Sequence, residues 1–459
     1  MTGKSMTTKS INAKAITNRK LRLAACLFAS AVWPSLAVAQ EGLQSAYGCR
    51  NLEQMRSLQA LEGKDGFFFR IIAELRMEHP FTDGTMKRLA QFSQVLAEQG
   101  TTLIYVPIPS KSIVLNDKLP ERAALFGYND KIAREYYNDI FARFQKHGVT
   151  AVDISGALQS ADKDFPPFFK TDFHWTAAGA RLAAEEIAKA IQSQPEYADL
   201  GKIETKTVEK GVQVAFSGMR LLLQENCIDS LPQVVTPTYE TTALENPEAA
   251  LDILGEETAS SVVLIGTSFS DMPVSNFGGF VQEYSKLPVL NYSLTGGNQF
   301  GSMISYVTSQ EFQEKRPRYL IWENPIYNNL SEYGEAPWAE LLAMAYNKCE
   351  PLERSAVSPD GLTISSKIDP SQWRAGAAIL ADAGLEGPRS VKLKLENANG
   401  RTRFANIQRN DRMRATGRFV FPLSPYGNQP INQISATFDI PAGDAGSLQI
   451  CQTSQELLR

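Results

Sequence analysis

The feature that most limits what this chain can fold into is a change of hydrophobic period after Cys349. Ahead of it, short apolar runs recur: TTLIYVPI at Thr101–Ile108, VTAVDI at Val149–Ile154, SVVLI at Ser261–Ile265, then Pro288–Asn291 and Tyr319–Trp322. Each is too short for a buried helix, so each reads as a buried strand. Between them Thr85–Gln99, Lys131–Lys146 and Ala177–Gln192 carry apolar residues at three- and four-residue spacing, the period of a helix. Strands alternating with helices predict an α/β domain, a mostly parallel sheet flanked by helices. Beyond Cys349 the period falls to two, in SVKLKLENANG, GRFVFPL, QISATFDI and SLQIC, with Gly, Asn and Pro turns between. That pattern predicts a small all-β sandwich over residues 348–459, behind an α/β domain over 40–347.

The first 39 residues hold six Lys or Arg and no acid, then an apolar stretch from Leu23 to Trp33, then Ala37-Val38-Ala39 before Gln40. This is the three-part pattern of a cleaved signal peptide, with an apolar core too short to span a membrane. Residues 1–39 are therefore expected to be a leader, and the rest an exported, soluble chain that does not span the membrane. Removal of the leader leaves Cys49, Cys227, Cys349 and Cys451, an even number that favours two disulfides in an exporting compartment. Three pairings are open. Cys349 with Cys451 would close a loop of about a hundred residues and stabilise by several kcal/mol on the chain-entropy account. Cys49 with Cys227 would then tie the mature N-terminus to the middle of the first domain.

Charge divides at the same boundary. Residues 40–345 carry a net −13 and residues 346–459 a net +3, with nine Lys or Arg between Arg389 and Arg418 against Glu396 and Asp411. Several of these cations alternate (Lys392 and Lys394, Arg401 and Arg403, Arg412 and Arg414), which on a strand projects them from one face toward a polyanion. Nucleic acid is not the polyanion expected for an exported chain.

Chemistry-bearing residues cluster at KTDFHWTAAGA, 170–180. The prolines of Phe165-Pro-Pro-Phe-Phe169 forbid a helix before it, and Thr176 reads as the N-cap of the helix after it. Asp172 and His174 then lie on a loop, where residues i and i+2 project to one side, and the carboxylate can orient the imidazole as a general base. His79 and His147 have no ligand-like neighbours, so no metal site is expected. Ser268 follows an apolar strand and Gly266-Thr267, at the carboxyl end where open α/β sheets place their chemistry. Position 270 is serine, which fails the G-x-S-x-G elbow of α/β-hydrolases.

Gly266-Thr267-Ser268 resembles the nucleophile block of SGNH esterases and acyltransferases, and Thr171–Thr176 with Gly179-Ala180 is similar to the D-x-H-W-T block of the alginate acetylation proteins. Further matches run in order through Gly63–Phe69, Val106–Lys111, Gly278–Val281 and Trp322–Pro325, so the likeness covers most of residues 60–330. With the β module and two cysteine pairs, Cys49–Cys227 and Cys349–Cys451, the chain resembles the two-domain periplasmic alginate O-acetyltransferases. The resemblance implies an SGNH hydrolase-like fold with a C-terminal carbohydrate-binding module. It makes Ser268 the nucleophile, His174 the general base and Asp172 its orienting acid. Aspartate and histidine precede the serine, at D-x-H spacing, as in that subgroup. Acetyl would pass through a serine acyl-enzyme to hydroxyls of an exported polyuronate in the periplasm, with no metal or cofactor. The partners implied are alginate, an acetyl donor or membrane acetyl-transfer protein, and proteins of an export complex.

For the oxyanion hole, the Ser268 N–H and the Gly297 and Asn298 groups of Gly296-Gly297-Asn298 are candidates. Lys111, Trp322 and Tyr327 are candidates for lining the cleft, and Arg374, Lys392, Lys394, Arg401 and Arg403 for holding the polymer. Two other functions fit the same residues: an acetylesterase, with water as acceptor, and a non-catalytic polysaccharide-binding scaffold.

Overall fold

The structure, a computed structural model, describes residues 45–244, 261–369, 371–373, 376–424 and 430–453. The leader expected over 1–39 lies outside them. After a short hairpin of β1 (Ala60–Glu62) and β2 (Phe68–Arg70) comes β3 (Thr102–Ile108). A two-stranded antiparallel ribbon, β4 (Thr205–Val214) with β5 (Val235–Ala243), stands apart from the main sheet. β6 (Val262–Ile265), β7 (Val289–Asn291) and β8 (Tyr319–Pro325) follow, and the main sheet runs β3-β8-β6-β7 with every pair parallel. Its strands are near-continuous apolar runs because helices cover them. The helices Asp83–Glu98, Asp130–Lys146 and Ala177–Gln192 fall within two residues of their sequence-predicted bounds.

One expected strand is reduced to a single parallel bridge. Val149–Ile154 pairs with β3 only at Ala151↔Tyr105, through Tyr105 N–H to Thr150 O and Val152 N–H to Tyr105 O. The chain then turns at once into the helix Ser155–Gln159, so no further ladder forms. The β4–β5 ribbon was not expected from the sequence.

From Cys349 every strand is antiparallel. A sheet in the order β10 (Glu353–Val357), β11 (Thr363–Lys367), β16 (Ile431–Phe438), β13 (Ser390–Asn397), β14 (Thr402–Gln408) faces a second, ordered β15 (Arg418–Pro422), β12 (Ala378–Asp382), β17 (Ser447–Cys451), β9 (Cys349–Pro351). Ile364, Val391, Leu393 and Ile434 of the first meet Ile379, Phe419, Leu448 and Ile450 of the second in one core. The alternate residues of the second sheet, Ala378, Leu380 and Val420, pack instead into the core of the α/β part, against the helix Ala336–Tyr346. That sheet is therefore buried on both faces. Within this interface Arg409 and Glu340, 7% and 5% exposed, form an ion pair, and Glu340 also accepts from the Val420 N–H at 3.2 Å.

Two disulfides are present, Cys49–Cys227 and Cys349–Cys451. The first closes a small core of Leu52, Met55, Phe68, Met219 and Leu223 that supports the helix Gly218–Gln224. No helix among the described residues is long and apolar enough to cross a membrane.

Candidate active site

The loop bearing Asp172 and His174 is pinned at its base. Thr176 donates its hydroxyl to Pro166 O at 2.7 Å and its N–H to Pro167 O at 2.9 Å, and Phe169 N–H reaches His174 O at 3.1 Å. The Thr176 side chain also accepts from the Gly179 N–H, the N-cap that the sequence announced. Gly179 lies against Pro167 so closely that a Cβ there would sit 2.2 Å from its carbonyl oxygen, so only glycine lets helix and loop meet. Inside the loop, Lys111 is buried and donates to the carbonyls of Phe68, Lys170 and Asp172 at 2.9, 3.1 and 2.9 Å.

Ser268 opens a one-turn helix, Ser268–Asp271, directly after β6 and Gly266-Thr267. Beneath that turn lies Glu323 of β8, fully buried. Its carboxylate accepts from the Thr267 N–H at 2.8 Å, the Thr267 hydroxyl at 3.1 Å and the Ser270 hydroxyl at 2.7 Å. A Cβ at Gly266 would come within 2.4 Å of this carboxylate, which is why the strand must end in glycine. Burial pushes the Glu323 carboxyl up to about 7 against these hydrogen bonds.

The two segments are tied to each other. Trp175 donates its indole N–H to Phe269 O at 2.8 Å, and the Phe269 ring packs 5.4 Å from Trp175 and 4.9 Å from the His174 ring. His174 Nε2 is thereby brought to 2.7 Å from Ser268 Oγ, while Nδ1 lies 2.6 Å from Asp172 Oδ1. Asp172 Oδ1 also accepts the His174 N–H at 2.9 Å, and Oδ2 accepts the Ser217 hydroxyl. Burial alone would raise the Asp172 carboxyl, but the hydrogen bonds from His174 and Ser217 hold it below the usual carboxylate range. Three side chains separated by up to 96 positions thus form one continuous hydrogen-bonded relay, with Ser268 and His174 half-buried at its open end. Such a relay can deprotonate the serine hydroxyl and hold the resulting imidazolium.

The other sequence candidates are placed as follows. Lys111 does not line a cleft, because its ammonium is spent on three carbonyls. Trp322 is 1% exposed and packs among Phe92, Tyr105, Phe300 and Trp338, so it is a core residue. Gly297 N–H is committed to Leu294 O, and Asn298 Oδ1 accepts the Phe300 and Gly301 N–H groups at the entry to the helix Gly301–Val307. Gly297 therefore has no free N–H for an oxyanion, whereas the Ser268 N–H takes no protein acceptor among the described residues. Tyr327 stays near the relay: the Arg70 guanidinium lies 4.9 Å from its ring centre and 3.9 Å from that of Phe173, which in turn is 4.0 Å from the His174 ring.

On the β module, Lys392 and Lys394 share the solvent face of β13, with Phe404 and Asn406 of β14 opposite them and Phe404 76% exposed. Arg403 pairs with Leu395 and so belongs to the other side of the sheet, and Arg401 precedes the strand in its turn, so the expected single face of cations is not formed. Arg409, Arg412, Arg414 and Arg418 turn toward the α/β part instead: to Glu340, Thr295 O, the Tyr292 ring and Thr308 O. Arg374 lies outside the described residues.

Ser217, Glu323 and Arg70 were not singled out by the sequence. Glu323 stood inside the Trp322–Pro325 block and its acidic residue in an apolar strand was the available signal. Ser217 carried none, because only the fold brings it to Asp172.

Comparison with known proteins gives the following. Residues 60–326 match the family described as the SGNH hydrolase-like domain of the acetyltransferase AlgX. The alginate biosynthesis protein AlgX of Pseudomonas aeruginosa is 26% identical over 414 residues, 86% of this chain and 84% of that protein. The probable alginate O-acetylase AlgJ of Pseudomonas syringae pv. tomato is 27% identical over 256 residues, 54% of this chain and 63% of that protein. In fold, the solved structure of Pseudomonas aeruginosa AlgX superimposes with a TM-score of 0.69 at 22% identity, over 86% of this chain and 94% of that one.

Proposed function

Given that the chain belongs to the AlgX family of SGNH hydrolase-like acetyltransferases, we propose that it is a periplasmic O-acetyltransferase that acetylates hydroxyls of an exported polyuronate through a serine acyl-enzyme. The observation that carries the reading is the Ser268–His174–Asp172 relay, with spacings of 2.7 and 2.6 Å. In the first half-reaction Ser268 Oγ gives its proton to His174 Nε2 and bonds to the acetyl carbonyl carbon. The donor's oxygen then leaves with that proton. In the second, His174 takes the proton of a sugar hydroxyl, the hydroxyl oxygen attacks the acetyl carbon, and Ser268 Oγ departs reprotonated. Asp172 steadies the imidazolium in both halves, and the Ser268 N–H is the donor placed to meet the transient oxyanion. The module over 348–459 is proposed to hold the polymer by the Lys392, Lys394 and Phe404 face, a cationic and aromatic surface suited to a charged sugar chain. The leader-like N-terminus and the two disulfides support export.

The test supplies an acetyl ester and polymannuronate oligomers and measures acetyl on the oligomers against free acetate. Acetylated oligomers from the wild type and none from Ser268→Ala are expected. Free acetate alone would make the protein an esterase, and undiminished transfer by Ser268→Ala would overturn the acyl-enzyme.

A further inference from the structure

A cleft of about 580 Å³ opens beside the β4–β5 ribbon, next to the loop that carries Asp172 and His174. Ser268, His174 and Asp172 do not line it. Its size is that of small-molecule pockets, roughly 300–1,000 Å³. The walls are mostly apolar: Phe165, Phe168, Phe169, Leu182, Pro237 and Tyr239.

Two cations share the wall, the exposed Lys170 and the more buried Arg181. Arg181 lines the cleft with its guanidinium carbon 4.6 Å from the Tyr239 ring centre and 4.7 Å from that of Phe280, and its Nε is buried without a hydrogen-bond partner. Rings on which a guanidinium stacks leave its edge free, and that edge is a fork matched to carboxylate or phosphate oxygens.

The apolar surface continues outside the mouth. Val235 pairs with Val214 and Pro237 with Val212 across the ribbon, so these four share one face, and Val212, Val214 and Val235 are 68, 57 and 47% exposed. Phe165, 57% exposed, stands at the same opening. A ligand seated here meets an apolar trough running out along the ribbon and the Arg181 guanidinium in the wall, with the exposed Lys170 also in the lining.

The acceptor polymer does not fit this description. Its repeated charges would meet the exposed Asp162 and Asp164 that share the lining.

We propose that this cleft binds a medium- or long-chain amphiphile bearing a single anionic group, with the chain along the ribbon face and the anion on Arg181. The head group is a carboxylate or a phosphate, as in a free fatty acid or a simple alkyl phosphate. The site is independent of the acetyl-transfer reading.

Calorimetric titration of the full mature chain with dodecanoate, dodecyl phosphate and dodecanol, each below its micelle concentration, tests it. At least one of the two anions is expected to bind one to one and roughly tenfold or more above dodecanol, the range for a charged hydrogen bond, and whichever binds identifies the head group. Arg181→Met should remove that preference while dodecanol binding and p-nitrophenyl acetate hydrolysis persist, the latter showing that the variant is folded. Val235→Trp should weaken all three ligands by obstructing the mouth, and Ser268→Ala should bind as the wild type does. Absence of binding by the wild type, equal affinity for dodecanol and both anions, an unchanged preference in Arg181→Met, or loss of binding in Ser268→Ala would each overturn the proposal.

Discussion

Two carboxyl groups at the site are pushed in opposite directions by their surroundings, and each gives a measurable consequence. Asp172 is held low by donors from His174 and Ser217. Ser217→Ala removes one donor from a buried carboxylate, which is expected to lower kcat roughly tenfold with little change in KM. Its acid limb should move to higher pH, because the Asp172 carboxyl then ionises later. Glu323 is raised to about 7 by burial from an ordinary value of 4.5. A carboxyl whose folded value exceeds its unfolded one favours the native state at low pH, and that advantage drains away as pH climbs through 4.5 toward 7. Melting temperatures of the wild type should therefore fall relative to Glu323→Gln between pH 5 and pH 8. Residues of this kind divide by legibility. Asp172, His174 and Ser268 could be picked out because their spacing and flanking punctuation are local. Ser217 and Arg70 could not, because their roles exist only once separate segments meet. Lys111 and Trp322 were misread for a related reason: sequence cannot tell a buried ammonium with three carbonyls, or a core indole, from the same groups facing a cleft.

Among the elements, the D-x-H loop and the serine turn behave as one piece because Trp175 hydrogen-bonds to the residue after Ser268. Trp175→Phe keeps the ring contact with Phe269 but drops that hydrogen bond. Expected are about 1 kcal/mol less stability in denaturant unfolding and a kcat reduced on the order of tenfold, since the imidazole is no longer held to one position. The helices were legible nearly to the residue because amphipathic period and capping agree. The ribbon was not: its strands are mostly exposed or only partly buried, so no buried stripe marks them. The shortened bridge at Ala151 was overcalled for the opposite reason, an apolar run that is buried without joining a ladder.

At the scale of the molecule, the β module is mounted by a sheet buried on both faces, and the Arg409–Glu340 pair sits within that mounting. Arg409→Met leaves the buried Glu340 carboxyl without its cation and with the Val420 N–H as its remaining partner among the described residues, which should destabilise by about 3–5 kcal/mol in denaturant unfolding. Arg409→Met with Glu340→Met should recover most of the loss, and failure to do so would mean the pair acts through shape rather than charge. The sequence revealed both halves, since the period changes at Cys349, but not their shared interior. An alternating strand announces one buried face, and nothing in its pattern says that the remaining face is covered too.

The last strand among the described residues, β17, lies inside its sheet, between β12 and β9. A polypeptide made N-terminus first delivers that segment after all the other strands described. Until then β9 has no neighbour, Cys349 has no partner, and the helix Ala336–Tyr346 faces water on the side meant for the module. Arrival of Ser447–Cys451 thus closes that sheet, so a chain stopped short of Ser447 should be more readily digested by added protease than the full chain, even though every residue of the relay precedes the break.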